Sequence, residues 1–386
     1  MLISGEAMKN KKLIYVDQLV HYISLDIVNA FAEEFDEVIL LTGFIRQHER
    51  PLKENVKVVK LKKYERNSFR SRVWCWSVFT VQVWLRLLFL YKGAAVFFTT
   101  KPPLTQFYGL ITRRRFAVQV LDVYPDILKL YNIGENNLVY RIWAFLNKVV
   151  FRRAIEVSTI SIRMKNLVDE YTEGRGADII RLWSGFGNVG RVERKNNEWA
   201  KKLGIQDKFI IQYAGNIGHA HNVEVMLEIA EKLKNDNEIL FQIIGWGERF
   251  SVIENKIRQK NYPNVMMLPM QPIDVVNQSL SAANLSVILL EEKVADVSLP
   301  SKIYNLQNLG IPLLCFAPPS SELNTHLNEF KNGVRFLESE IDEIAGFILD
   351  CKNDPLSLEV FSQNSLRAAA SFSHNNAKKF VEPFLR

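Results

Sequence analysis

Ser301 and Lys302 follow Pro300 where the spacing of Ile303, Leu306 and Leu309 predicts a short helix closed by Gly310. Proline is tolerated in a first helical turn, and Ser298 stands upstream as a cap. The unpaired N–H groups of such a turn, with the lysine ammonium beside them, suit a phosphate or diphosphate. A capped helix with a solvated lysine fits the same residues. Two glycine pairs offer a second kind of chemistry. Gly215-Asn-Ile-Gly218 and Gly245-Trp-Gly247 each end an apolar run, so that bare backbone either approaches a nucleotide or simply turns tightly into a helix. Asp122 and Asp126 bracket Val-Tyr-Pro at the end of another apolar run. Open α/β sheets bind ligands at such strand ends, although an aspartate there also caps helices.

The elements that must position these groups alternate. Apolar runs predict strands at 11–17, 37–42, 56–61, 94–99, 117–121, 156–160 and 179–183, with helices over 22–34 and 137–153. The residues from Trp183 to Gly190, with the charged stretch to Lys202, read as a linker. Alternation then restarts, with strands at 209–214, 239–245, 265–268, 285–290 and 313–316. Helices are expected over 222–233, from 248 to about 260, over 273–282 and from 301, with a last polar helix over 375–382. Strand-helix alternation at this spacing predicts two doubly wound α/β domains with parallel sheets. Their expected bounds are 1–190 and 191–370, with 371–386 packing back on the first.

Composition narrows the function. The 386 residues carry 48% hydrophobic and 24% charged side chains, ordinary for a folded chain. Three scattered cysteines form neither a metal spacing nor a disulfide framework, which fits a reducing cytoplasm. The segment from Met1 to Lys12 has no apolar core of a signal peptide, and Met8 is an alternative start. Charge is concentrated: Arg46 to Arg72 holds ten Lys/Arg against three Asp/Glu, a surplus equal to the net +7 of the chain. Arg113 to Arg115 form a second knot. Such a face attracts phosphates or is merely solvated. Val73 to Tyr91 has one charge, Arg86, in nineteen residues, and three tryptophans. The expectation is a buried helix of the α/β layer, then a helix with one face in a bilayer surface, then a spanning helix.

No Gly-x-Gly-x-x-Gly follows the first strand, which argues against a nicotinamide enzyme. Gly-x-Ser-x-Gly, the Walker loop, His-Glu-x-x-His and Asp-x-Asp are also missing from the sequence. No nucleic-acid motif accompanies the basic run. What remains is Tyr213-Ala-Gly-Asn-Ile-Gly218, then Ile243-Ile-Gly-Trp-Gly-Glu248, then Ser298-Leu-Pro-Ser-Lys-Ile-Tyr304 with Gly310-Ile-Pro312. In order and spacing this set resembles glycosyltransferase family 4, in the branch that builds bacterial O-antigens, capsules and exopolysaccharides. Pro102-Pro103 and Asp122-Val-Tyr-Pro125 are similar to the same branch.

The resemblance implies a GT-B fold, two Rossmann-like domains facing across a cleft, with a nucleotide sugar held mainly by the second. It implies transfer with retention of anomeric configuration, no metal and no cofactor beyond the nucleotide-sugar co-substrate. Many members carry two glutamates eight residues apart; here Asn305 takes the second place and the first is not evident. Asn216 and His221 stand roughly where many members carry an Arg and a Lys. Lys302, the adjacent helix N-terminus and Arg249 are then expected to neutralise the departing diphosphate, with N–H groups at Gly218 and Ser301 and a hydrogen bond from His221. Gly215, Gly245, Gly247 and Asn305 are expected to hold ribose and base, and Asp122 to touch the acceptor hydroxyl or donor sugar. The glycine-rich loop expected after the first strand is missing, which leaves acceptor contacts near Asp17 to Ser24 open. The expected partners are a UDP-sugar and a polyprenyl-diphosphate-linked glycan, at the cytoplasmic face of an anionic plasma membrane. Two other readings stay open: a GT-B nucleotide-sugar epimerase, and a non-catalytic membrane-associated partner of a polysaccharide assembly system.

Overall fold

The computed structural model describes residues 11–46, 51–65, 69–186, 189–218, 221–290, 292 and 300–386. The expected cap Ser298 and Arg50 and Arg66 of the basic run lie outside the described residues. The chain divides into two units, the first running to Leu182 and taking in His374–Arg386, the second being Trp183–Ser373.

In the first unit, β1 (Lys12–Val16), β2 (Glu37–Thr42), β3 (Val56–Lys60), β4 (Ala95–Thr99), β5 (Phe116–Gln119), β6 (Glu156–Thr159) and β7 (Asp178–Ile179) form one sheet. Its order is β3-β2-β1-β4-β5-β6-β7, and all neighbours are parallel. Unbroken apolar runs such as Leu13 to Val16 and Val38 to Leu41 are what a sheet covered on both faces requires, and every one of these residues is buried. Around it lie α1 (Tyr22–Glu34), α2 (Phe69–Phe89), α3 (Leu138–Arg153) and α4 (Ile162–Thr172). The short last strand replaces the longer one expected over 179–183. The C-terminal residues belong here: Phe384 meets the rings of Phe31 and Phe35 at 5.4 and 6.4 Å, and Phe380 meets Phe97 at 5.7 Å. Only Glu382–Leu385 is α-helical; His374–Phe380, expected as helix, winds as 3-10 turns.

In the second unit, α5 (Glu198–Lys202) opens the chain within the stretch expected to be linker, its Asn197 cap accepting from the Ala200 N–H. The sheet comprises β8 (Phe209–Asn216), β9 (Ile239–Trp246), β10 (Val265–Pro269), β11 (Leu285–Leu289), β12 (Leu313–Phe316) and β13 (Gly333–Phe336). Its order, β10-β9-β8-β11-β12-β13, repeats that of the first sheet without the seventh strand, and again all neighbours are parallel. The helices between strands are α6 (Glu224–Lys232), α7 (Phe250–Lys260), α8 (Ile273–Ser281) and α9 (Lys302–Asn308). Beyond Phe316 come α10 (Glu322–Phe330), α11 (Ile341–Asn353) and α12 (Pro355–Ser371), elements that the sequence reading left unassigned. Both sheets thus have the doubly wound order in which ligands sit at strand carboxyl ends.

Candidate functional site

At the carboxyl ends of β8 and β9 lies a cavity of about 190 Å³, walled by Gly215, Gly245, Trp246, Met270, Lys302 and Asn305 among others. Lys302 begins α9. Its ammonium stands 4.1 Å from the centre of the Tyr213 ring and 3.5 Å from the Val287 carbonyl oxygen. A ring face and one carbonyl replace little of an ammonium's hydration, so burial pulls its pKa down to about 7, against a small opposing effect of Cys315. The residue as a whole is only half-buried, but its ammonium lies against the Tyr213 ring and the Val287 carbonyl. The Tyr213 hydroxyl donates to the Asn216 carbonyl at 2.7 Å, which fixes the ring under the ammonium. The ring of His221 lies 6.5 Å from that of Tyr213. Burial, and then Lys302, lower its pKa, and its Nδ1 is buried with no hydrogen-bond partner among the described residues. Both groups are therefore disfavoured in their charged forms, Lys302 by burial and His221 by burial and then by Lys302, a cost that an anion beside them would relieve.

The other expected donor residues divide. Gly215 lines the cavity, and a Cβ there would find Lys302 Nζ at 3.6 Å. Gly245 also lines it, yet its lack of a side chain is required by the neighbouring strand: a Cβ would lie 1.9 Å from the Gly215 carbonyl oxygen. Gly247 has φ +144°, with the Ile217 carbonyl oxygen 2.4 Å from where its Cβ would be. The two glycine loops bind each other, Ile217 N–H donating to Trp246 O at 2.6 Å and Arg249 N–H to Ile217 O at 3.0 Å. Gly247, Gly218 and Asn216 thus shape the loops and are not cavity walls. Asn305 is a wall, but its Oδ1 accepts from Ser184 Oγ at 2.9 Å and Gly185 N–H at 3.0 Å, so only its amide NH₂ is left to donate to a ligand. Those bonds also tie the start of the presumed linker into the second unit. Ser301 is exposed and supplies no side-chain cap. Arg249, expected to add charge beside Lys302, instead pairs with Glu224, which Lys256 also holds at 3.0 Å. Sequence reasoning missed Trp246, Met270, Gln271 and the Tyr213 platform; Trp246 stood in view between the two glycines.

Asp122 belongs to the first unit. Its N–H and that of Leu121 donate to Thr100 Oγ1 at 3.1 and 3.0 Å, which sets it at the rim of a cavity of about 150 Å³ with His21, Tyr64, Trp76, Lys101 and Tyr124. Asp126 does not share that cavity. It is buried, accepting from Tyr140 at 2.7 Å and Tyr171 at 2.5 Å, with Lys129 at 3.1 Å, and so holds α3 and α4 to the loop. In the expected acceptor segment, Asp17 accepts from Ser24 Oγ at 2.6 Å and Leu19 N–H at 3.0 Å. Burial raises its pKa to about 6 against the attraction of Lys101. Among the described residues no three His, Cys, Asp or Glu side chains gather as metal ligands.

The fold is that of GT-B glycosyltransferases. It is similar to Alr3699/HepE of Anabaena, solved in complex with UDP, at a TM-score of 0.71 and 13% identity over 97% of this chain and 99% of that one. It is also similar to WaaG, a glycosyltransferase involved in lipopolysaccharide biosynthesis, at a TM-score of 0.67 and 12% identity over 96% of this chain and 98% of that one. Residues 195–367 match the family model described as "Glycosyl transferases group 1", and the cavity around Lys302 falls inside that stretch. The chain therefore carries a glycosyl transferases group 1 domain. It is 28% identical over 217 residues to WcaI of Escherichia coli (strain K12), named for glycosyl transfer in colanic acid biosynthesis, over 54% of this chain and 53% of WcaI. It is 22% identical over 217 residues to WbjE of Pseudomonas aeruginosa, which carries a glycosyltransferase name, over 56% and 54%. The chain spans about half the length of the curated relatives it matches.

Proposed function

We propose that this protein transfers a sugar from a nucleoside diphosphate, most simply UDP, to a lipid-linked glycan during polysaccharide biosynthesis, with retention and without a metal. The observation that carries this reading is the Lys302 ammonium, held against the Tyr213 ring in a cavity at the strand ends of a glycosyl transferases group 1 domain. A diphosphate there restores to Lys302 the full charge that burial suppresses, and low local polarity makes the resulting ion pair strong where charge develops on the leaving group. A protonated His221 Nδ1 donates to a second phosphate oxygen. Trp246 and Met270, half-exposed at the mouth, offer apolar surface to a base. The bond from C1 to the diphosphate breaks, the acceptor oxygen takes its place, and the acceptor proton leaves with the phosphate.

The names of the relatives support the pathway class, and the UDP in the HepE complex supports the nucleotide. A polyprenyl-diphosphate-linked sugar as acceptor, and a cytoplasmic site of action, belong to the same proposal. Its test is calorimetric binding of UDP with GDP and ADP as controls, followed by transfer from UDP-sugars to polyprenyl-diphosphate-linked acceptors and the anomeric coupling of the product by NMR. UDP binding and a product that keeps the donor configuration are expected. No binding by any nucleotide would overturn the reading.

A further inference from the structure

A face of the first unit built jointly by α2 and α3 carries apolar side chains that its own core does not use. In α2, Cys75, Phe79, Val83 and Leu87 recur every four residues and are buried. The opposite stripe, Trp74, Val81, Leu85 and Leu88, is exposed, Trp74 by 66%. In α3 the buried positions are Tyr140, Asn147, Val150 and Phe151. Leu138, Ile142 and Phe145 stand opposite them, exposed by 69%, 51% and 64%. The two helices share a support. Trp84 of α2 donates to Thr105 O at 3.2 Å in the 3-10 segment Thr105–Leu110, and Trp143 of α3 packs on Phe107 of the same segment at 6.2 Å. Tyr124 touches both, with Trp76 at 5.9 Å and Trp143 at 5.2 Å. Ile111, 61% exposed, follows that segment.

We infer that this face docks on an anionic phospholipid surface, with α2 and α3 lying in the plane of the interface. Charge decides between a bilayer and a second copy of the chain. Along α2 and α3 there are seven Lys/Arg and not one Asp/Glu, Arg152 being paired with Glu173. Arg70, Arg113, Arg141 and Lys148 are exposed beside the apolar stripes. A two-fold contact through this face would set cations against cations, whereas an anionic lipid surface complements them. No described helix is long and apolar enough to cross a membrane, which leaves the in-plane arrangement. The inference differs from the expectation for Val73 to Tyr91 in giving α3 an equal part. It stands apart from the transfer reading, because UDP binding and vesicle binding can each fail while the other holds.

The test is co-sedimentation of the full chain with phosphatidylcholine vesicles, with and without phosphatidylglycerol. The comparison is with Ile142→Ser/Phe145→Ser on α3 and Leu85→Ser/Phe89→Ser on α2. All four positions are exposed, and unchanged UDP affinity and circular dichroism control for folding. Expected are binding that needs the anionic lipid, weakening by about tenfold or more for either pair, and about fivefold for each cation reversed. Quenching by brominated lipid should be partly lost in Trp74→Phe. The inference is overturned by a folded wild type that ignores anionic vesicles, or by an α3 pair that binds like wild type. It is overturned as well by a dimer in light scattering that these substitutions dissociate.

Discussion

Replacing Lys302 by methionine keeps the length of the side chain and removes its charge, and the two consequences run in opposite directions. In the free protein the ammonium is a cost. A fall from 10.5 to about 7, at roughly 1.4 kcal/mol for each pH unit, puts on the order of 5 kcal/mol of desolvation on the folded state. The sign follows from proton counting. Between pH about 7 and about 10.5 the unfolded chain binds the proton that the folded one has lost, so this group adds stability as pH rises through that window. Lys302→Met should therefore raise Tm at neutral pH, and its advantage should shrink as pH approaches 10. In the donor complex the ammonium is an asset. A diphosphate returns its pKa toward the ordinary range, so UDP affinity should be full below pH 7 and fall by about fifteenfold between pH 7 and about 8.5. The β-phosphate of UDP is already ionised across that range and adds no slope of its own. Calorimetry in two buffers of different ionisation heat counts the proton taken up. A wild-type affinity flat across that range, or a methionine variant binding UDP within about twofold of wild type, would refute the reasoning.

Four further substitutions separate loop architecture from ligand contact. Gly245→Ala must move the Gly215 carbonyl and should cost about 3 kcal/mol or more of stability, whereas Gly215→Ala, with nothing nearer than 3.4 Å, should fold normally and weaken UDP binding; thermal melts and calorimetry read both. Arg249→Ala should leave UDP affinity within about twofold of wild type and cost about 1 kcal/mol of stability, since Lys256 remains on Glu224. Asp122→Asn should leave UDP affinity unchanged and lower the rate of sugar transfer, and an unchanged rate would remove Asp122 from the reaction.

What the sequence disclosed follows from how many segments decide each feature. α1 over Tyr22–Glu34 and β2 over Glu37–Thr42 have the expected bounds because each is set by its own pattern, a buried helical stripe and an unbroken apolar run. The parallel sheets were legible for the same reason. Gly247 was not: its φ of +144° is demanded by the Ile217 carbonyl of another loop, and nothing within Gly-Trp-Gly records that neighbour. Arg249 shows the limit most plainly. By position it looked like a phosphate ligand, yet Glu224, 25 residues earlier, takes its charge. Asp126 read like Asp122, but Tyr140 and Tyr171 claim it for the core. The helices α10 to α12 escaped because their apolar residues are interspersed with exposed polar and apolar ones, as on α12, where Leu356 and Val360 face solvent. Lys302 was found because proline, helix and strand place it at a strand-end crevice by local rules alone. Its suppressed charge was not visible, since that depends on burial against Tyr213 and Val287, brought in from two other segments of the same unit.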